Sequence, residues 1–148
     1  MKTTEEKAAP TDSTAAFAHS LISQGWLGVA IWMTLGLLLE GLLGYRAPSY
    51  LEDAQRRELL RLAHAHGTVL SGLLIMAGLT MQQLKAFPRP AVLALRTGSC
   101  LMPLGFLLAG LWHPASDAGL GIWLVPPGAL LMIFGVVALA LSWYHRAR

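Results

Sequence analysis

The sequence contains little charge and almost no cysteine. Asp, Glu, Lys and Arg make up 13% of its 148 residues, and Cys100 is the single cysteine. One cysteine excludes a disulfide framework and a multi-cysteine metal site within one chain. The sequence also lacks a glycine-rich phosphate loop, a nucleophile elbow, an H-E-x-x-H motif and a C-x-x-C-H haem attachment motif. No local signature therefore identifies a reaction directly.

Apolar residues, at 55% of the chain, exceed what a soluble domain of this length contains. The excess lies in four runs free of charged residues, over 21–39, 62–84, 97–112 and 120–144. A membrane-spanning helix needs about 20 mainly apolar residues, and the third run reaches that length if it begins near Ala91. We predict an all-α integral membrane protein, a four-helix transmembrane bundle over 21–148. Its approximate spans are 21–43, 60–84, 91–112 and 122–144, after a polar N-terminal tail over 1–20.

The distribution of basic residues predicts the orientation of the bundle. Four spans place both termini and the middle loop at one membrane surface, which then holds seven Lys and Arg residues against four at the other. This bias predicts a bacterial-type inner membrane with both termini cytoplasmic. The net charge of +3 is modest, and we attribute it to membrane orientation and to contact with lipid headgroups. We expect no nucleic acid partner.

A helix signal also precedes the second span. Ser49-Tyr50-Leu51-Glu52 fits the S-x-x-E capping box and follows Pro48. Leucines then alternate with charged residues up to Arg61. We predict a short amphipathic interfacial helix that runs or bends into the second span.

Polar residues near one membrane surface form the candidate site. His64 and His66 point about 200° apart on a helix, so they cannot chelate one ion together. Glu40 lies within the first span, where a carboxylate needs an interior partner, and depth places it level with His64. His113 ends the third span at the same surface. We predict a layer of Glu40, His64, His66 and His113, which is either a structural Glu-His hydrogen bond or a site for haem, quinone or a metal ion.

Glycines predict where helices approach closely. Gly36, Glu40 and Gly44 recur at steps of four residues in the first span, and the second span contains Gly67, Gly72 and Gly78. Small residues of this kind let membrane helices pack backbone against backbone. We therefore expect close helix packing along both sets.

Two short patterns resemble known families. One pattern is a carboxylate at the end of the first span, Glu40, followed by a loop and then Ala65-His66-Gly67 at the start of the second span. It resembles the first helix pair of haem-copper oxidase and nitric oxide reductase catalytic subunits. This resemblance covers the first half of the chain and implies that His66 is a haem ligand. Arg57, Arg61 and His64 resemble the second-span signature of the small four-helix glutathione-linked and eicosanoid-linked membrane enzymes. That signature has asparagine and glutamate where this chain has Gly67 and Ser71. We assign the chain to neither family.

Three classes of function stay open at the level of sequence. The first is a small polytopic membrane protein without autonomous catalysis, an accessory subunit of a complex with other membrane subunits or a homo-oligomer. The second is a redox-associated protein that holds haem, quinone or a metal ion through the predicted histidines and Glu40. The third is a small membrane enzyme acting on lipid-like or thiol substrates.

Overall fold

The computed structural model describes residues 11–84, 87–112, 114 and 117–146, and the regular structure within these ranges is entirely helical. The helices are α1 (Thr11–Gly44), α2 (Pro48–Leu51), α3 (Ala54–Met81), α4 (Arg89–Leu111), a 3-10 helix (Leu120–Leu124) and α5 (Val125–Arg146). Four of them are long and apolar enough to cross a membrane. The predicted all-α transmembrane four-helix fold is confirmed. We call the membrane surface where α1 begins and α5 ends the terminal side.

Helix α1 starts well before the first apolar run. It begins at Thr11, inside the segment that composition assigns to the tail. Ala18 and Leu21 are fully buried in a cluster with Ala77 and Met81 near the end of α3. Burial of these small and apolar side chains explains why the helix extends to the terminal side of the bundle.

The start of the second span differs from the predicted capping box. A short helix, α2, does precede the span, but Ser49 lies inside it and caps nothing. Asp53 caps α3 instead, because its carboxylate accepts a hydrogen bond of 2.8 Å from the backbone amide of Arg56. Helix α3 therefore runs unbroken from Ala54, and its first turns form the amphipathic part.

The helices pack in chain order. Helix α1 packs on α3, α3 on α4, and α4 on α5, whereas α1 touches α4 only slightly and does not meet α5 within the described ranges. Trp32, Ala63, Phe106 and Ala109 form the central cluster. Helix α1 therefore lies at an edge of the bundle. Its other faces expose apolar side chains suited to lipid, among them Trp26, Leu27, Ile31, Met33, Leu37 and Leu38.

Glycines bring α1 and α3 together over only part of their length. The indole of Trp32 lies against Gly67, and the imidazole of His64 lies against Gly36. No atom of a neighbouring element lies within 4 Å of the side-chain position at Gly44 or Gly72. A Cβ at Gly78 would lie 2.8 Å from the backbone oxygen of Ala18. The predicted close packing of backbones is therefore confirmed at Gly78 and is wrong at Gly44 and Gly72, whereas Gly36 and Gly67 make room for side chains.

Candidate functional site

A cavity of about 660 Å³ opens between α1 and α3, on the side of the membrane opposite the terminal side. We call it the α1–α3 cavity. Its ionisable lining residues are Glu40, Arg57, Glu58, Arg61 and His64, and much of the remaining lining is apolar, from Met33, Leu37, Leu39, Leu43 and Leu62. The structure thus brings Glu40 and His64 of the predicted layer into one cavity.

The imidazole of His64 is fixed by the backbone of α1. Its Nδ1 lies 2.7 Å from the carbonyl oxygen of Trp32. A carbonyl oxygen only accepts, so Nδ1 donates, and in the neutral ring the lone pair is on Nε2. Gly36 makes this contact possible, since a Cβ at that position would lie 2.7 Å from Nδ1. A histidine held through one nitrogen in this way is oriented to accept a proton or to bind a ligand with the other.

Glu40 is exposed and makes no hydrogen bond or ion pair with any residue that the structure describes. The predicted hydrogen bond between Glu40 and His64 is therefore wrong as a direct contact, because the imidazole donates to Trp32 instead. An acceptor carboxylate within a membrane-spanning helix is costly to leave without a partner. Its place in the cavity makes it available to a bound molecule.

Two arginines add positive charge to the same cavity. Arg57 donates through Nη1 to the carbonyl oxygen of Leu51 at 2.6 Å, which fixes the start of α3 to the end of α2. Arg61 lies one turn further along α3 and is exposed. Together with Glu40 and Glu58 they give the cavity both donors and acceptors of charge-assisted hydrogen bonds.

His66 faces a different helix. Its Nδ1 lies 2.9 Å from the carbonyl oxygen of Leu62 in its own helix, and its ring centroid lies 5.0 Å from that of Phe106 in α4. The predicted divergence of the two histidines is thus confirmed, and His66 does not line the α1–α3 cavity. His113 lies outside the described residues. A binding role for any of the four predicted residues stays a prediction.

The predicted layer of Glu40, His64, His66 and His113 left out the charged residues of α3 that line this cavity, Arg57, Glu58 and Arg61. Arg57, Arg61 and His64 follow one another at steps of four and three residues, the spacing that puts side chains on one helical face. The same periodicity that separates His64 from His66 therefore places the two arginines on the face of α3 that carries His64.

The donor set of the cavity suits a polar organic group. The cavity is lined by one histidine, two glutamates and two arginines, among other residues. Among the described residues, no three or more His, Cys, Asp or Glu side chains lie close enough together to hold a metal ion. The chain matches no protein-family model, no curated protein and no solved structure.

Proposed function

We propose that this integral membrane protein is an accessory subunit that binds a quinol, a membrane-soluble amphiphile with a dihydroxylated ring, in the α1–α3 cavity. The observation that carries the proposal is the imidazole of His64, which is held through Nδ1 and lines the same cavity as the unpaired carboxylate of Glu40. Both groups accept hydrogen bonds, and the two hydroxyls of a quinol donate them. A quinol reaches such a cavity from the lipid.

Size and lining agree with this class of ligand. A cavity of about 660 Å³ falls among those that hold small organic molecules, typically about 300–1,000 Å³. Met33, Leu37 and Leu43 offer an apolar surface to the ring and to the first part of its tail. The other lining residues include Glu40, Tyr50, Arg57, Glu58, Arg61 and His64, whose polar groups can hydrogen-bond the hydroxyls of the ring and fix its orientation.

The accessory role follows from the chemistry of a quinol. Oxidation of a quinol releases two protons and two electrons. His64 and Glu40 are proton acceptors, but neither imidazole nor carboxylate takes up the electrons. We therefore assign the electron acceptor to another membrane subunit that carries a redox cofactor, in a bacterial-type inner membrane with cytoplasmic termini.

Haem is the second candidate ligand, and one feature of the cavity favours it. The same Nε2 lone pair of His64 can bind haem iron, and Arg57 and Arg61 line the cavity as partners for the haem propionates. The visible spectrum of gently purified protein decides this point. A Soret band would favour haem over quinol, and its absence would remove haem.

Calorimetric titration of the purified protein with a short-chain quinol tests the proposal. We expect His64→Phe and Glu40→Gln each to weaken binding about tenfold, or about 1.4 kcal/mol, since each loses a strong acceptor. His66→Phe is the matched control, because it removes an imidazole that does not line the cavity and keeps a ring against Phe106. Equal losses in His64→Phe and His66→Phe, or no binding by the wild type, would refute the proposal.

A further inference from the structure

We propose a second site, independent of the first, in which an anionic phospholipid binds between α1 and α4. These two helices touch only slightly, and a cavity of about 890 Å³ lies between them towards the terminal side. We call this cavity the α1–α4 groove. Its polar lining residues are His19, Ser20, Ser23, Gln24, Arg96 and Thr97.

The charge of the α1–α4 groove favours an anion. Arg96 and His19 are its basic residues, and no carboxylate is among the described residues that line it. Arg89 lies seven residues before Arg96 and therefore on the same side of α4, with its guanidinium carbon 5.8 Å from the ring centroid of Phe17 in α1. Two guanidinium groups thus follow the edge of α4 that faces α1.

Arg96 is held in position for this role. Its Nε donates to Oε1 of Gln24 at 2.8 Å, and Nε2 of Gln24 donates to the Arg96 carbonyl oxygen at 3.0 Å. Nε2 of Gln24 also lies 3.3 Å from Oγ of Ser99 and 3.4 Å from Sγ of Cys100, so Gln24 joins α1 to α4 through several polar contacts. The two Nη groups of Arg96 donate to no described residue, so they are available to a phosphate, whose oxygens match the guanidinium in a bidentate manner.

The depth of Arg96 suits a lipid phosphate. Arg89 is the first residue of α4, and at about 1.5 Å per residue Arg96 lies about 10 Å further into the membrane. The headgroup region occupies about 5–8 Å on each face of a bilayer, and an arginine just below it extends its side chain towards the phosphates. An anion that neutralises Arg96 at this depth removes the cost of a charge near the hydrocarbon.

An apolar crevice continues the groove towards the bilayer centre. It has a volume of about 420 Å³ and shares Gln24, Leu27 and Cys100 with the α1–α4 groove. Along α1 it extends from Gln24 to Leu35, a rise of about 16 Å at about 1.5 Å per residue. Half of the hydrocarbon thickness is about 15 Å, so the crevice matches one acyl chain in length.

A phospholipid site needs a polar end for the phosphate and an apolar part for an acyl chain. The α1–α4 groove supplies the first through the positive charge of Arg96, and the crevice supplies the second over the depth of one leaflet. The phosphate binds Arg96, and one acyl chain lies between α1 and α4, covering Cys100 on the way. The lipid thereby fills the gap that the slight contact between these helices leaves open.

Cys100 provides the test, because it is the only cysteine and lines both the groove and the crevice. The full chain is reconstituted in phosphatidylcholine vesicles, with or without phosphatidylglycerol, and alkylation by N-ethylmaleimide is followed by mass spectrometry. We expect phosphatidylglycerol to slow alkylation about tenfold when the lipid is at about ten times its Kd. Native mass spectra should show the same lipid retained on the protein.

Arg96→Gln and Arg46→Gln are the matched variants, since each removes one positive charge and Arg46 lies in the turn at the opposite side. Arg96→Gln lacks the proposed phosphate ligand. Any slowing of Cys100 alkylation by phosphatidylglycerol that remains in this variant therefore measures the effect of the membrane surface potential on the thiol. The ratio to compare is the rate of alkylation without phosphatidylglycerol divided by the rate with it. We expect this ratio to be the same in Arg46→Gln as in the wild type and to fall close to one in Arg96→Gln. Equal ratios in the wild type and Arg96→Gln would overturn the proposal, and so would equal protection by inorganic phosphate in phosphatidylcholine vesicles.

Discussion

Gly67→Ala tests how far the stability of the bundle depends on the contact between α1 and α3. A Cβ at residue 67 would lie 2.5 Å from Cε2 of Trp32 and nearer still to two other indole carbons. Ordinary contact begins at 3.4 Å, so the indole has to move by about 1 Å. Trp32 is 8% exposed and belongs to the central cluster, so a displacement of its rigid ring disturbs the packing of that cluster.

The expected cost follows from two opposing terms. Overpacking of a dense core typically costs about 1–3 kcal/mol. Alanine gains about 0.8–1 kcal/mol over glycine in helix propensity, measured in water. Gly72→Ala, in the same helix, gains helix propensity without an overpacking cost, because nothing lies within 4 Å of its side-chain position. We expect Gly67→Ala to be less stable than Gly72→Ala by about 1–3 kcal/mol.

Unfolding by sodium dodecyl sulfate in mixed micelles, followed by tryptophan fluorescence and circular dichroism, measures this difference. Gly72→Ala should unfold at or above the wild-type detergent fraction, and Gly67→Ala clearly below it. Coincident unfolding curves for the two variants would refute the close contact between the indole and Gly67.

Three further outcomes are expected. Asp53→Ala should destabilise the protein by about 1 kcal/mol in the same assay, through loss of the α3 cap, whereas Ser49→Ala should have no effect. Gly36→Ala should push the imidazole of His64 away from the carbonyl oxygen of Trp32 and weaken quinol binding about tenfold, whereas Gly41→Ala should leave binding unchanged. Calorimetry should show that the oxidised quinone, which has no hydroxyl to donate, binds more weakly than the quinol.

Local patterns in the sequence predicted those features that depend on local properties. The bilayer fixes the length of a spanning helix, so four apolar runs were enough to predict four spans. Helical periodicity separated His64 from His66, and the structure shows them facing α1 and α4 respectively. Each of these predictions depends on residues within a few turns of one another.

The predictions that failed needed information about packing. Ser49 and Asp53 are equally good caps by residue type, and Ser49 was excluded only because the chain already forms α2 there. The partner of His64 is a backbone carbonyl, a group that every residue carries and that no pattern of side chains marks. Only contact with α1 at Gly36 selects that carbonyl.

The sequence by itself determined the membrane location, the number of spans and the helical face on which each histidine lies, because hydropathy and helical period act locally. Tertiary structure decided that α1 packs on α3 but only slightly on α4. Glycine contacts hold α1 and α3 together as far as Gly36 and end there. The α1–α3 cavity and the α1–α4 groove therefore depend on how closely pairs of helices pack, which residues distant in sequence decide together.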